Sequence, residues 1–295
     1  MTGPGAATDH IQDHQRLGIG VLLLGGAFTG ATGILIRLSE VGPIATAAWR
    51  MLIASLILAA VAAVSDAQAF RFHGRGILLV AGLLFAIDMA FFHWALVLTS
   101  VAHATLITNL APLVALGAGV VLFGESLGPT KLVGLFASMA GAALMTVMRL
   151  DVAGTLSGNA VAVLGMLAYA SYLIVVKKAV GAESALTVLL WSSVTAAVAL
   201  FALATMTGDR LLPSTGQGWA VLVAMGVFAH VLGQGLIAVA MGHVPVGLAS
   251  VLLLIQPVVA ATGAWVLFGE SLGPLETAGA LLVLAGLSIA SRAKA

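Results

Sequence analysis

The chain has 295 residues, 61% of them hydrophobic and 8% charged, with a formal net charge of +1 and a mean hydropathy of +1.15. Soluble domains are about half apolar and about a quarter charged, so this composition excludes a water-soluble globule and fits a protein clothed in lipid. The near-zero charge gives no nucleic-acid surface, and with 0 cysteines neither a disulfide frame nor a thiolate metal site is available.

Met1 to Gln15 form a polar stretch carrying Asp9, His10, Asp13 and His14. No basic region precedes an apolar core and cleavage site, so residues 1–16 are expected to be a short tail rather than a signal peptide, and the first helix stays in place as a span. Apolar runs of about 20 residues, long enough to cross a bilayer as helices, then follow in series. They fall at 17–38, 43–64, 76–98, 102–123, 130–148, 156–177, 184–207, 217–240, 247–268 and 275–291. The connections are short and are punctuated by Gly42-Pro43, Gly128-Pro129 and Gly273-Pro274. Proline in a first turn loses no hydrogen bond, so each pair marks a helix start. The sequence therefore predicts an all-α integral membrane protein of about ten transmembrane helices, with no connection long enough for a soluble domain.

Lysine and arginine set the orientation. If the N-terminus is cytoplasmic, the inside segments hold Arg16, Arg71, Arg75, Lys131, Lys177, Lys178, Arg292 and Lys294, and the outside segments hold Arg37, Arg149 and Arg210. That asymmetry favours both termini in the cytoplasm, and an inner-membrane location is expected. Arg50 lies within the second span and does not enter the count.

An internal repeat organises the chain. Val121-Leu-Phe-Gly-Glu-Ser-Leu-Gly-Pro129 recurs unchanged as Val266 to Pro274, an offset of 145 residues. The same offset pairs Pro112 with Pro257, Gly134 with Gly279, Gly141 with Gly286 and Ala95 with Ala240. After the tail, repeats at 17–148 and 149–295 hold about five helices each. An odd number inverts the second copy relative to the first. Inverted repeats are a recurrent transporter architecture, with the binding site near mid-membrane at their interface.

The stretch from Ala95-Leu-Val-Leu-Thr-Ser-Val-Ala-His-Ala-Thr through Asn109-Leu-Ala-Pro112 to Phe123-Gly-Glu125 resembles the first EamA-type unit of the drug/metabolite transporter superfamily. Ala240 to Glu270 resembles the second, so the resemblance covers Leu17 to Ser291. It implies a ten-helix secondary transporter of small metabolites, with an exporter of neutral or aromatic amino acids as the nearest guess. The copies differ at Asn109 against Leu254 and Ala111 against Gln256, so the halves of the site should differ chemically.

The residues themselves suggest where a cavity lies. Pro112 and Pro257 fall about ten residues into their helices, roughly 15 Å deep at ~1.5 Å per residue. Each removes a backbone hydrogen bond, and such backbone at depth survives only where protein or a watery cavity surrounds it. Their matching depth favours a cavity between helices three and four of one repeat and eight and nine of the other, over kinks that merely improve packing. Asp88 is the carboxylate placed well inside a span. It either faces a cavity, binding an amine or a proton, or is a protonated acid bonded to a neighbouring helix. His93, about 140° from Asp88 around the helix at ~100° per residue, need not share its pocket and reads more readily as a packing histidine. Trp94 could supply a flat wall. Arg50 could meet a substrate carboxylate, but snorkelling to the nearby interface or a structural role is favoured.

On the eighth helix His230 and Gln234 form an i, i+4 polar pair, either lining the cavity or joining helices. Tyr169 could stack on a planar ligand or lie with Tyr172 at a packed seam. Asn109 and Gln256 add polar groups at depth, and Glu125 and Glu270 at helix ends read as caps. The small faces Gly134/Ser138/Gly141 and Gly279/Gly286 permit close packing within one chain or between two, leaving a homodimer open. No membrane-enzyme motif, phosphate loop or ligand cluster is present, so no cofactor or metal is implied. A channel-like facilitator, or a membrane-embedded enzyme or scaffold, is the alternative to a carrier whose partners are the bilayer and a small-molecule substrate.

Overall fold

The computed structural model describes residues 4–70, 76–99, 101–126, 128–147 and 155–292. Arg71, Arg75, Arg149 and Lys294, which enter the orientation argument, lie outside these. Among the described residues the regular structure is entirely helical. Ten helices are long and apolar enough to cross a membrane: span 1 (Gln15–Arg37), span 2 (Pro43–Ser65), span 3 (Gly76–Ala95), span 4 (His103–Phe123), span 5 (Pro129–Val147), span 6 (Leu156–Ala179), span 7 (Ala185–Thr207), span 8 (Gly216–Met241), span 9 (Val246–Phe268) and span 10 (Pro274–Ser291). Pro43 and Pro274 occupy first-turn positions, as the sequence predicts. The backbone of span 1 reaches back in helical form to Pro4; residue 17 marks where the apolar stretch begins, not where the helix does.

The repeated nonapeptide does the same work twice. Spans 4 and 9 end on Gly124 (φ 65°) and Gly269 (φ 70°), a left-handed turn that a side chain disfavours and glycine adopts freely. Each turn then delivers a glutamate, Glu125 or Glu270, to the membrane edge.

Inter-span packing follows the inverted repeat. Spans 5 and 10, 2 and 7, and 4 and 9 pack against their own mates; span 3 packs on 6 and 7, and span 8 correspondingly on 1 and 2. A two-fold axis in the membrane plane demands this pattern. At the 5–10 seam, a Cβ on Gly141 would lie 2.6 Å from the carbonyl oxygen of Gly279, and one on Gly134 2.8 Å from that of Gly286. The small faces are thus used within one chain, where backbones close to contact. The surface around the bundle is apolar, with Val64, Val97 and Val121 each more than four-fifths exposed, as lipid requires.

Two breaks position the site. Span 4 turns at Asn109–Leu110 and span 9 at Leu253–Leu254. At these points Leu110 N–H bonds back to Ile107 and Leu254 N–H to Val251, three residues away instead of four. Pro112 and Pro257 follow, lacking the N–H that would continue the ladder. A third break, between Gly30 and Thr32 in span 1, carries no proline. Gly30 is there because a Cβ would sit 2.8 Å from the carbonyl oxygen of Gln256, so span 1 lies directly on the break of span 9.

Candidate functional site

A central cavity of about 280 Å³ opens between the two repeats. Span 3 lays one face along it through Phe85, Asp88, Met89, Phe92 and His93. These positions recur at intervals of three and four and occupy an arc of about 140° at ~100° per residue. Asp88 and His93 stand at the two edges of that arc, so the wheel angle between them does not separate their pockets. The cavity is simply wide enough to take both. Trp94, one residue further round, points away: it is 57% exposed and stacks on Phe91. It lies on the outer surface and supplies no wall.

Span 2 contributes Arg50, only 6% exposed. Its guanidinium lies over the Phe85 ring at 5.4 Å and one Nη meets the Met89 sulfur at 3.4 Å, while its Nε has no partner. Snorkelling is therefore not what this arginine does. It points inward, onto Phe85 and Met89 of span 3. Asp88, 4% exposed, lines the same cavity, yet the two charges make no ion pair with each other. A guanidinium and a carboxyl group thus face one space from neighbouring helices with no salt bridge between them.

The broken helices bring amides. Asn109 sits at the break of span 4, its Nδ2 buried without a partner, and Gln256 and Pro257 follow the break of span 9; all three line the cavity. Tyr169 from span 6 closes one wall and stacks on Tyr172 at 6.5 Å. Pro112 lies one layer deeper. With Tyr169, Asn109, Gln256 and Pro257 it lines a smaller chamber of about 60 Å³ that continues from the cavity between the breaks. Spans 1 and 2, which the proline argument leaves out, supply Thr29, Gly33, Pro43 and Thr46, so the cavity is broader than helices three, four, eight and nine alone.

Span 8 separates its two polar residues. From Met225 to Gln234 it is a wide, π-type helix. At about 4.4 residues per turn, positions nine apart face the same way, whereas in an α-helix they oppose. That is how Met225 and Gln234 both reach the cavity. His230 does not line it. It is 2% exposed behind Phe85, with Nε2 2.8 Å from the Ser193 hydroxyl, so it joins span 8 to span 7. Gln234 has Tyr172 as a long-range partner, the phenol donating to its Oε1 at 3.5 Å. Among the described residues no His, Asp and Glu cluster could hold a metal ion.

The sequence matches the model of the EamA-like transporter family twice, over residues 16–147 and 156–292. The chain belongs to the EamA-like transporter family. It is accordingly a multi-pass membrane transporter of small molecules, within the drug/metabolite transporter superfamily. No curated protein matches the sequence. A solved structure described only as a crystal structure of a protein superposes with a TM-score of 0.82 at 19% identity, covering 92% of this chain and 96% of that one; at that identity the likeness concerns the fold alone. The cavity lining thus combines the Arg50 guanidinium, the Asp88 carboxyl, amides from both repeats, and the aromatic rings of Phe85, Phe92 and Tyr169.

Proposed function

We propose that this EamA-like transporter moves a neutral amino acid or similar zwitterionic metabolite, with aromatic side chains favoured, outward across the inner membrane by alternating access, its termini in the cytoplasm. The observation that carries this reading is the unpaired placement of Arg50 and Asp88 around one cavity. A guanidinium and a carboxyl group that face one low-dielectric space with no salt bridge between them are both poorly solvated. A zwitterion supplies both missing partners at once, its carboxylate to Arg50 and its ammonium to Asp88. The aromatic walls favour a flat side chain.

Size and charge argue against the other cargoes of the superfamily. The 280 Å³ cavity stands at the small end of ligand pockets, which run about 300–1,000 Å³. A phosphorylated dianion would call for several arginines or lysines, and among the described residues Arg50 is the sole one lining the space. The test is counterflow in proteoliposomes with labelled Phe, Trp, Thr and a phosphate ester side by side. Saturable exchange of Phe and Trp is expected. Exchange of the phosphate ester with no amino acid moved would overturn the reading.

A further inference from the structure

Ten spans place both chain ends on one face of the membrane, the terminal face; the other is the distal face. The cavity belongs to the distal half. In span 1 it is lined from Thr29 to Ile36, in span 2 from Pro43 to Arg50, and in span 3 from Phe85 to His93, in each case the half nearer the distal ends at Arg37, Pro43 and Ala95. What lies between the cavity and the terminal face is the first half of span 9. The half-helix Val246–Leu252 is followed by the break at Leu253–Leu254, and every residue from Val246 to Leu254 is buried. Beyond the break span 9 is mostly accessible. The half-helix is a plug with a hinge at its inner end.

Its outer end is held from several sides. The turn joining spans 8 and 9 exposes carbonyls that end one helix and N–H groups that begin the next, carrying opposite partial charges. Lys177 of span 6 donates from Nζ to the carbonyls of Met241 at 2.6 Å and Val244 at 2.9 Å. Glu125, delivered by the nonapeptide turn after span 4, accepts from Val246 N–H at 2.6 Å and Gly247 N–H at 3.0 Å. A cation and an anion thus grip the two ends of one turn. The grip depends on glycine: a Cβ on Gly119 would lie 2.6 Å from Glu125 Oε2, and one on Gly247 would strike Leu116. Span 1 closes the remaining side, where a Cβ on Gly18 would lie 3.0 Å from Val244. The 145-residue offset pairs Glu125 with Glu270 and Lys177 with Thr32; on the distal face the cation comes instead from Arg37 of span 1, which ion-pairs with Glu270 itself.

We infer that the half-helix Val246–Leu252 is the terminal-face gate, latched by Glu125 and Lys177 and hinged at Leu253–Leu254, a reading that rests on alternating access at the central cavity but not on the identity of the cargo. Opening toward the terminal face requires both residues to release the turn. With the latch made, the cavity lies in the distal half, so this structure is the state with the terminal-face gate shut.

The native chain has 0 cysteines, so single cysteines report directly. Ser250→Cys places a thiol inside the plug, and Ala260→Cys places one in the cavity. Each is labelled with a membrane-impermeant maleimide from either face, in vesicles of both orientations. Lys177→Met and Glu125→Gln are each expected to speed terminal-face labelling at position 250 about tenfold and to slow distal labelling at position 260, as a population shift requires. Lys177→Arg, which keeps charge and donors, should stay near the parent rate. A third arm leaves the latch intact. A Cβ on Gly18 would lie 3.1 Å from that of His243, close to disulfide reach. Oxidising the pair Gly18→Cys/His243→Cys should abolish residual terminal-face labelling of Ser250→Cys, and reduction should restore it. Unchanged labelling in the latch variants, or labelling indifferent to the cross-link, would overturn the gate. Neither readout involves transport, so failure of the amino-acid reading would leave this result standing.

Discussion

At the scale of single residues, Arg50 and Asp88 line the cavity and Trp94 does not, and the proposed function assigns substrate recognition to the first two. Arg50→Lys keeps the charge but loses the planar fork that matches a carboxylate in two places, and it should raise KM for phenylalanine about tenfold with a smaller effect on maximal rate. Arg50→Met should abolish saturable uptake. Trp94→Leu, changing a side chain that faces outward, should leave exchange within about twofold of the parent. Counterflow at several substrate concentrations separates these outcomes. The depth of Asp88 could be read from the sequence because an acid is conspicuous in an apolar run. The direction in which Arg50 points could not, since two turns from an interface a long side chain can go either way, and its contacts with Phe85 and Met89 are made only in the fold. His230 shows the same limit. A histidine with Ser193 at 2.8 Å and a histidine facing a cavity look alike in one dimension.

At the scale of the helices, paired prolines marked the two breaks and a shared nonapeptide marked the two helix ends, because each is a local backbone demand written in Pro or Gly. Pro112 lies behind the main cavity and Pro257 on its wall. Pro112→Ala should therefore slow the maximal rate by stiffening span 4 while leaving KM nearly unchanged, whereas Pro257→Ala should alter both. The break in span 1 and the widened turn in span 8 left no such mark. The first depends on Gly30 meeting the Gln256 carbonyl, a tertiary contact, and the second changes the helical period without changing its composition. At the seam of spans 5 and 10, Gly141→Leu should force the backbones apart. A cost of about 1–3 kcal/mol is expected from such overpacking, seen as a lower melting temperature in detergent.

The whole molecule is two inverted copies whose equivalence is broken where function needs it. On the distal face, Glu40 accepts from Ser214 N–H at 2.8 Å and Thr215 N–H at 3.1 Å, and also from the Thr215 hydroxyl. The Thr215 hydroxyl first, then Ser214, hold its carboxyl below the ordinary value. A group whose folded pKa is depressed contributes stability above its unfolded pKa and loses it as pH falls through the folded one. This tie between the 1–2 and 7–8 connections should therefore weaken only in acid, and Glu40→Gln should flatten the shallow acid limb of a melting-temperature titration. The repeat and the spans were legible because they follow from hydropathy and self-similarity. The unpaired cation and anion around one space were not, since they arise where spans 2 and 3 meet.

That pair is tested most directly by counterflow of phenylalanine against two relatives that each lack one charge, phenethylamine without the carboxylate and 3-phenylpropanoate without the amine. If Arg50 and Asp88 together receive a zwitterion, phenylalanine exchanges and both relatives fall about a hundredfold behind, because each leaves one buried charge unanswered. Equal exchange of all three would contradict a site built on that pair.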